Sequence, residues 1–464
     1  MANNFKKEER LKEAIKVIEQ VFERDAHVFF DLPTYNDLIA YYFENDKLDM
    51  AIKVCDLAFS QYPYSVEILL SKVQILVYEG LLEEANEVLD QAESIQPGDE
   101  EVLLARGNIY STMGNFPEAI AYYEKLLQFS EDRAEVYFNI AYTLQLYEQY
   151  EEAVNYYMLT LREDLTHEDT IYELAICLDL IDSLPKGIAF FEEVIDDHPY
   201  SSAAWFNLGI IHQKMEAHQK AMEAFEYASL IDSQFASAYF EMGCSCMNLE
   251  KYELAYECFL KTLEHEGSSA DVSCHAAAAL EKQENYRGAL KHYQQALKED
   301  EEWEDAWYGV GYCLLELEKW HQALHYLSKL VKLNAYSEEY WMVKARAEYE
   351  VGNHAHALEA FDKAAAINPS NPKLWLSWSL LHYAEKDIPE AIALIDEGLE
   401  ELPDNVELLY RGCAYNLAAG KLARATQLLE LALVIDYERH TVLYDFFPDT
   451  NIQKSIAKII NQFR

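Results

Sequence analysis

Apolar and polar residues alternate with a helical period along nearly the whole chain, and that pattern itself returns every 34 residues without insertion or deletion. Small residues mark the phase: Ala51, Ala85, Ala119, Ala153, Gly187, Ala221, Ala255, Ala289, Ala323, Ala357, Ala391 and Ala425. With position 1 set at Leu32, repeats begin at Val66, Glu100, Ala134 and onward to Val406, and twelve repeats end near Arg439. Bulky apolar residues occupy position 4 (Tyr35, Leu69, Trp205, Trp307, Trp341, Trp375) and position 24 (Tyr123, Tyr157, Phe191, Phe225, Phe259, Tyr293). Small residues occupy positions 8, 20 and 27. Positions 4, 7, 8 and 11 share one face of a first helix, and positions 17, 20, 24 and 27 share one face of a second. Glycines at position 15 (Gly80, Gly114, Gly352, Gly420) suit a helix C-terminus. Prolines at position 18 (Pro117, Pro185, Pro389) suit the first turn of the next helix.

In length, phase and residue type this pattern resembles the tetratricopeptide repeat over residues 32–439. The resemblance implies an all-α, right-handed α-solenoid of twelve helical hairpins. A hairpin cannot bury its apolar stripe alone, so stacking supplies the core and the ends need caps. Residues 1–31, with an amphipathic helix over Leu11 to Val21, read as the N-terminal cap, and residues 440–464, with Ile452, Ile456, Ile459 and Ile460, as the C-terminal cap. Repeat 8 carries Ser273 in place of a bulky residue at position 4, an expected thin spot where the superhelix could change curvature.

Charge narrows the partners. The formal net charge is −45, from 82 acidic and 37 basic residues, which disfavours nucleic acid and anionic membrane surfaces. There is no uninterrupted apolar run of transmembrane length and no signal-like N-terminus, so the expectation is a cytoplasmic chain. Eight cysteines fall mostly on packing positions, as in a reducing compartment, and Cys244 and Cys246, two apart on a helix, face different directions.

Catalytic chemistry is not legible. No phosphate-binding glycine loop, zinc-ligand spacing or nucleophile elbow occurs. His321 and His325 lie four apart on a helix without the glutamate of a zinc protease motif. The expectation is therefore no enzyme activity, metal or cofactor.

The resemblance also implies a concave groove lined by positions 2, 5, 9, 12 and 13 of the first helices. Carried onto this chain, those positions give one stripe over repeats 4 to 7, namely Phe138, Tyr142, Tyr172, Ile176, Phe206, Ile210 and Phe240, with Asp169 and Asp179 beside it. A second stripe spans repeats 9 to 12: Tyr308, Tyr312, Leu315, Met342, Tyr349, Leu376, Leu380, Tyr383 and Tyr410. Rings on an open surface ask for a cover, and acidic neighbours select cations. The expected role is a scaffold or adaptor that holds a basic and apolar protein or peptide segment. The alternatives are an accessory, substrate-presenting subunit of a multi-chain enzyme, or a self-assembling array. A clamp for the carboxylate tail of chaperones is rejected, because Asp169 and Glu173 stand where cations are needed.

Overall fold

The computed structural model describes residues 2–24, 28–441, 443, 457 and 460; the C-terminal segment expected to form a cap lies mostly outside them. Among the described residues there are 25 α-helices, one short 3-10 turn and no strand. The chain divides into two compact units, Met1–Ser233 and Gln234–Arg464.

The first unit runs α1 (Ala2–Arg24), α2 (Leu32–Glu44), α3 (Leu48–Gln61), α4 (Val66–Tyr78), α5 (Leu82–Ile95), α6 (Glu100–Thr112), α7 (Phe116–Leu126), α8 (Arg133–Leu146), α9 (Tyr150–Glu163), α10 (Glu168–Leu180), α11 (Leu184–Asp197), α12 (Ser202–Lys214) and α13 (His218–Ile231). Helix α1 is longer than the expected eleven-residue segment; its Ala14 and Ile18 are buried against Tyr35 and Leu38 of the first hairpin.

The second unit runs α14 (Ala236–Asn248), α15 (Tyr252–Glu266), α16 (Ala270–Lys282), α17 (Tyr286–Glu299), α18 (Glu304–Glu316), α19 (Trp320–Leu333), α20 (Glu338–Glu350), α21 (His354–Ile367), α22 (Pro372–Ala384), α23 (Ile388–Glu401), α24 (Val406–Ala418) and α25 (Leu422–Ile435). Within each unit every first helix packs on its own second helix, and that one on the next first helix.

Every second helix starts at position 17 of its repeat. The cause is the residue two before it. Position 15 has a positive φ in all twelve repeats, as glycine in four and as Asp46, Glu148, Asp182, Glu216, Glu250, Glu284, Glu318 and Lys386 in the rest. A left-handed residue there lets its own amide and the next return to the helix end, as when Glu148 donates to the Gln145 carbonyl at 3.0 Å and Gln149 to that of Leu144 at 2.8 Å. Only the four glycines announced this turn in the sequence.

Consecutive repeats are tied by a second recurring device. The indole N–H of Trp307 donates to the Glu301 carbonyl at 2.7 Å, that of Trp341 to Ala335 at 2.9 Å, and that of Trp375 to Pro369 at 2.7 Å. Position 4 thus caps position 32 of the preceding repeat while its ring joins the core. The departures from the pattern also have packing reasons. At Gly187 a Cβ would lie 2.7 Å from Leu178, which fills the space that alanine takes elsewhere. Ser273 is fully buried beside a run in which Ala276, Ala277 and Ala279 are also fully buried.

Candidate partner-binding surface

Positions 2, 5, 9, 12 and 13 recur on one side of each first helix, so the residues they carry share a face within each unit. On α8 and α10 this face is open and apolar. Tyr142, Leu146, Tyr172, Ile176 and Leu180 keep between 41% and 59% of their surface exposed. Tyr142 stacks on half-buried Phe138 at 6.1 Å, and Phe138 lies 4.8 Å from the ring of His167. These contacts brace one edge of the patch and leave the Tyr142 ring available.

Carboxylates surround it. Asp169 and Asp179 are exposed, as is Glu135, which approaches His167 Nε2 at 3.5 Å. Asp179 is already held by Lys214 at 3.2 Å, so it is the more neutralised of the two aspartates. The floor is a polar node that sequence reasoning did not single out. Gln145 accepts from the Tyr157 hydroxyl at 2.6 Å and from the Cys177 thiol at 3.2 Å, and donates to Glu173 at 2.6 Å. Burial, with Glu173 nearby, pushes the Cys177 thiol up to about 12, so it is neutral and unreactive there.

Other expected groove residues are packed away. Phe206 and Ile210 are buried, Phe206 lying 5.5 Å from Phe225. Gly209 on the same helix makes room for that Phe225 ring, which would lie 2.5 Å from a Cβ there. In the second unit Tyr410 is buried, its hydroxyl donating to the Asp436 carbonyl at 2.7 Å, and Leu315 has no exposed surface. These four cannot present their side chains to a ligand as the pattern suggested.

Leu380 is exposed, while the remaining second-unit residues are half-buried and largely engaged with neighbouring side chains. Phe240 sits between Phe259 at 5.7 Å and His275 at 5.1 Å. Tyr308 and Tyr312 stack at 6.2 Å, and the Tyr308 hydroxyl donates to Glu339 at 3.0 Å. Burial and Glu339 together push the Tyr308 phenol well above its ordinary range. Met342 meets Asn371, Tyr349 lies 5.1 Å from His354, and Tyr383 stacks on Tyr415 at 4.6 Å. This face is a network of tyrosines and carboxylates rather than an open apolar strip.

Among the described residues, no group of three His, Cys, Asp or Glu side chains is placed to hold a metal ion, and no helix is long and apolar enough to cross a membrane.

Family models described as tetratricopeptide repeat match residues 100–133, 134–166, 202–235, 236–264, 280–347 and 349–414, together more than half of the sequence. The chain belongs to the tetratricopeptide repeat family. No curated protein matches it. Several solved structures are similar. YrrB, titled a TPR protein with an unusual peptide-binding site, is 22% identical, with 42% of this chain and 97% of that one covered and a TM-score of 0.37. Yeast Tom70 is 17% identical over 92% of this chain and 98% of that one, TM-score 0.43. The APC/C hetero-tetramer Cut9–Hcn1 contains a chain 14% identical over 93% of this chain and 95% of its own, TM-score 0.40. Tetratricopeptide repeat proteins typically mediate protein–protein interactions.

Proposed function

We propose that this chain is a non-catalytic interaction scaffold, and that the first-helix face of α8 and α10 holds a protein segment bearing apolar and basic side chains. The observation that carries the reading is the run of five exposed apolar side chains from Tyr142 to Leu180 with Asp169 at its border. Contiguous apolar surface of this kind costs solubility unless something covers it. Tyrosines supply rigid anchors, and the carboxylates steer and select cations without adding much raw affinity. The second-unit tyrosines play a smaller part in this reading, since the Tyr308 and Tyr410 hydroxyls already have internal acceptors and the other rings are half-buried.

A displayed random-peptide library panned on the full chain tests it. Enrichment of sequences pairing Lys or Arg with aromatic or aliphatic residues is expected, and Tyr142→Ala with Tyr172→Ala and Ile176→Ala should abolish their binding. Enriched peptides that bind the triple variant as well as the parent would contradict the proposal.

A further inference from the structure

A second surface of opposite character lies on α17 and α19. In a chain of net charge −45, α19 contains no acidic residue at all, and α17 only Glu299 at its end. Their cations keep the repeat phase. Arg287 and His321 both occupy position 18, Lys291 and His325 position 22, and Lys298 and Lys332 position 29, each pair 34 residues apart. Equal positions in consecutive repeats of the same unit put these pairs on one face.

All six are exposed. His321, His325, Lys329 and Lys332 line one shallow depression with Leu324 and Ser328. The neighbouring second helices do not share the pattern. At the same three positions α15 has Glu253, Glu257 and Glu264, and α21 has Ala355, Glu359 and Ala366. The cations are also unneutralised. Several basic side chains elsewhere do pair with carboxylates, as in Lys72–Asp56 at 2.5 Å, Arg162–Glu193 at 3.1 Å and Arg424–Asp396 at 3.0 Å. Among the described residues Arg287, Lys291, Lys298, Lys329 and Lys332 form no ion pair; Lys329 instead lies over the Trp307 ring at 4.1 Å.

We propose that the second-helix face of repeats 8 and 9 docks an acidic protein segment. Charge complementarity selects the occupant, and half-buried Leu324 with exposed Leu333 gives it apolar purchase. A long polyanion such as nucleic acid would meet the acidic surface on either side of this two-repeat island, whereas a short acidic segment would not. This surface is independent of the one on α8 and α10.

The test is fluorescence anisotropy of a labelled peptide of alternating glutamates and leucines against the full chain. Binding that weakens with salt is expected. Arg287→Glu with Lys291→Glu, Lys329→Glu and Lys332→Glu should lower affinity by about tenfold or more. The milder Lys291→Gln with Lys329→Gln should lower it in part, and Asp169→Asn with Asp179→Asn should leave it unchanged. Circular dichroism confirms that each variant is folded. Absence of binding, or equal binding by the parent and both cation variants, overturns the proposal. Tighter binding of a labelled single-stranded oligonucleotide assigns the face to nucleic acid, and self-association dispersed by the charge reversal assigns it to a second copy; either result also overturns it.

Discussion

Arg106 reaches back from α6 to Asp90 on α5, 2.7 Å away, so that a nearly fully buried guanidinium ties repeat 3 to repeat 2. Asn86 at 2.8 Å and Glu93 at 3.0 Å accept from the same group. Burial alone would pull the guanidinium down, but Asp90 and its neighbours outweigh that and hold it above its ordinary value. Arg106→Leu is expected to cost about 1–3 kcal/mol, since the hydrogen bonds go but the carboxylates left behind are solvated. Asp90→Ala should cost about 1 kcal/mol or less, because Asn86 and Glu93 remain. Urea unfolding of both variants checks the order; equal losses would mean that the buried end of the pair carries no special weight.

Ala221 has no exposed surface on α13, whereas Glu223, two residues on, faces water and accepts a hydrogen bond from Gln219 at 2.8 Å. Ala221→Phe should destabilise by about 1–3 kcal/mol or more through overpacking. Glu223→Ala should stay within about 0.5 kcal/mol. Thermal melts showing the same loss for both would contradict this packing.

Glu216 holds a φ of 57° at position 15 of its repeat and is exposed. A left-handed conformation costs a side-chain-bearing residue more than glycine loses in unfolded-state entropy, so Glu216→Gly should stabilise by about 0.5–1 kcal/mol. A lowered melting temperature would show that the glutamate side chain contributes more than its backbone costs.

The Glu281 carboxyl is half-buried at the end of α16 and accepts from the Tyr293 hydroxyl at 3.1 Å. Burial pushes its pKa above the ordinary carboxylate value; the Tyr293 hydrogen bond opposes this and Glu316 adds to it. The folded chain therefore binds this proton more tightly than the unfolded chain. Its contribution to stability is full below the unfolded pKa and is lost as pH rises through the folded one. Glu281→Gln, always neutral, should melt higher than the parent at pH 7, and the gap should close on acidification. A variant that melts lower at pH 7, with no convergence at acid pH, would reverse the sign of this linkage.

Much of this fold was legible because it repeats. Twelve copies of one hairpin average out local exceptions, so helix type and phase follow from spacing alone, and the second helices begin where the proline and glycine positions require. What the pattern could not show is which side chains of a shared face stay open. Position 5 carries Phe138, Tyr172 and Phe206 in consecutive repeats, yet only Tyr172 is exposed and Phe206 is buried. That difference is set by the bulk of residues on neighbouring helices, information that lies across the stack and not within one period. Arg106 was equally hidden, since its partners sit 13 to 20 residues earlier on another helix. The ladder of cations on α17 and α19 was present in the sequence, but reading the charge as one total concealed it.

Ala14 and Ile18 of α1 are buried on the first hairpin, and the loss of that cover should expose Tyr35 and Leu38. A chain beginning at Leu32 is expected to melt lower and to aggregate more readily than the full chain. Matching melting temperature and monodispersity in light scattering would show that residues 1–31 do not act as a cap.

The most direct measurement of the proposed scaffold role is hydrogen exchange of the full chain with and without a peptide selected on it. Binding on the first-helix face predicts slowed exchange over residues 133–146 and 168–180, with α9 and α11 unchanged. Protection confined to residues 150–163 and 184–197, with α8 and α10 unaffected, would place the partner on the second-helix face and contradict the account.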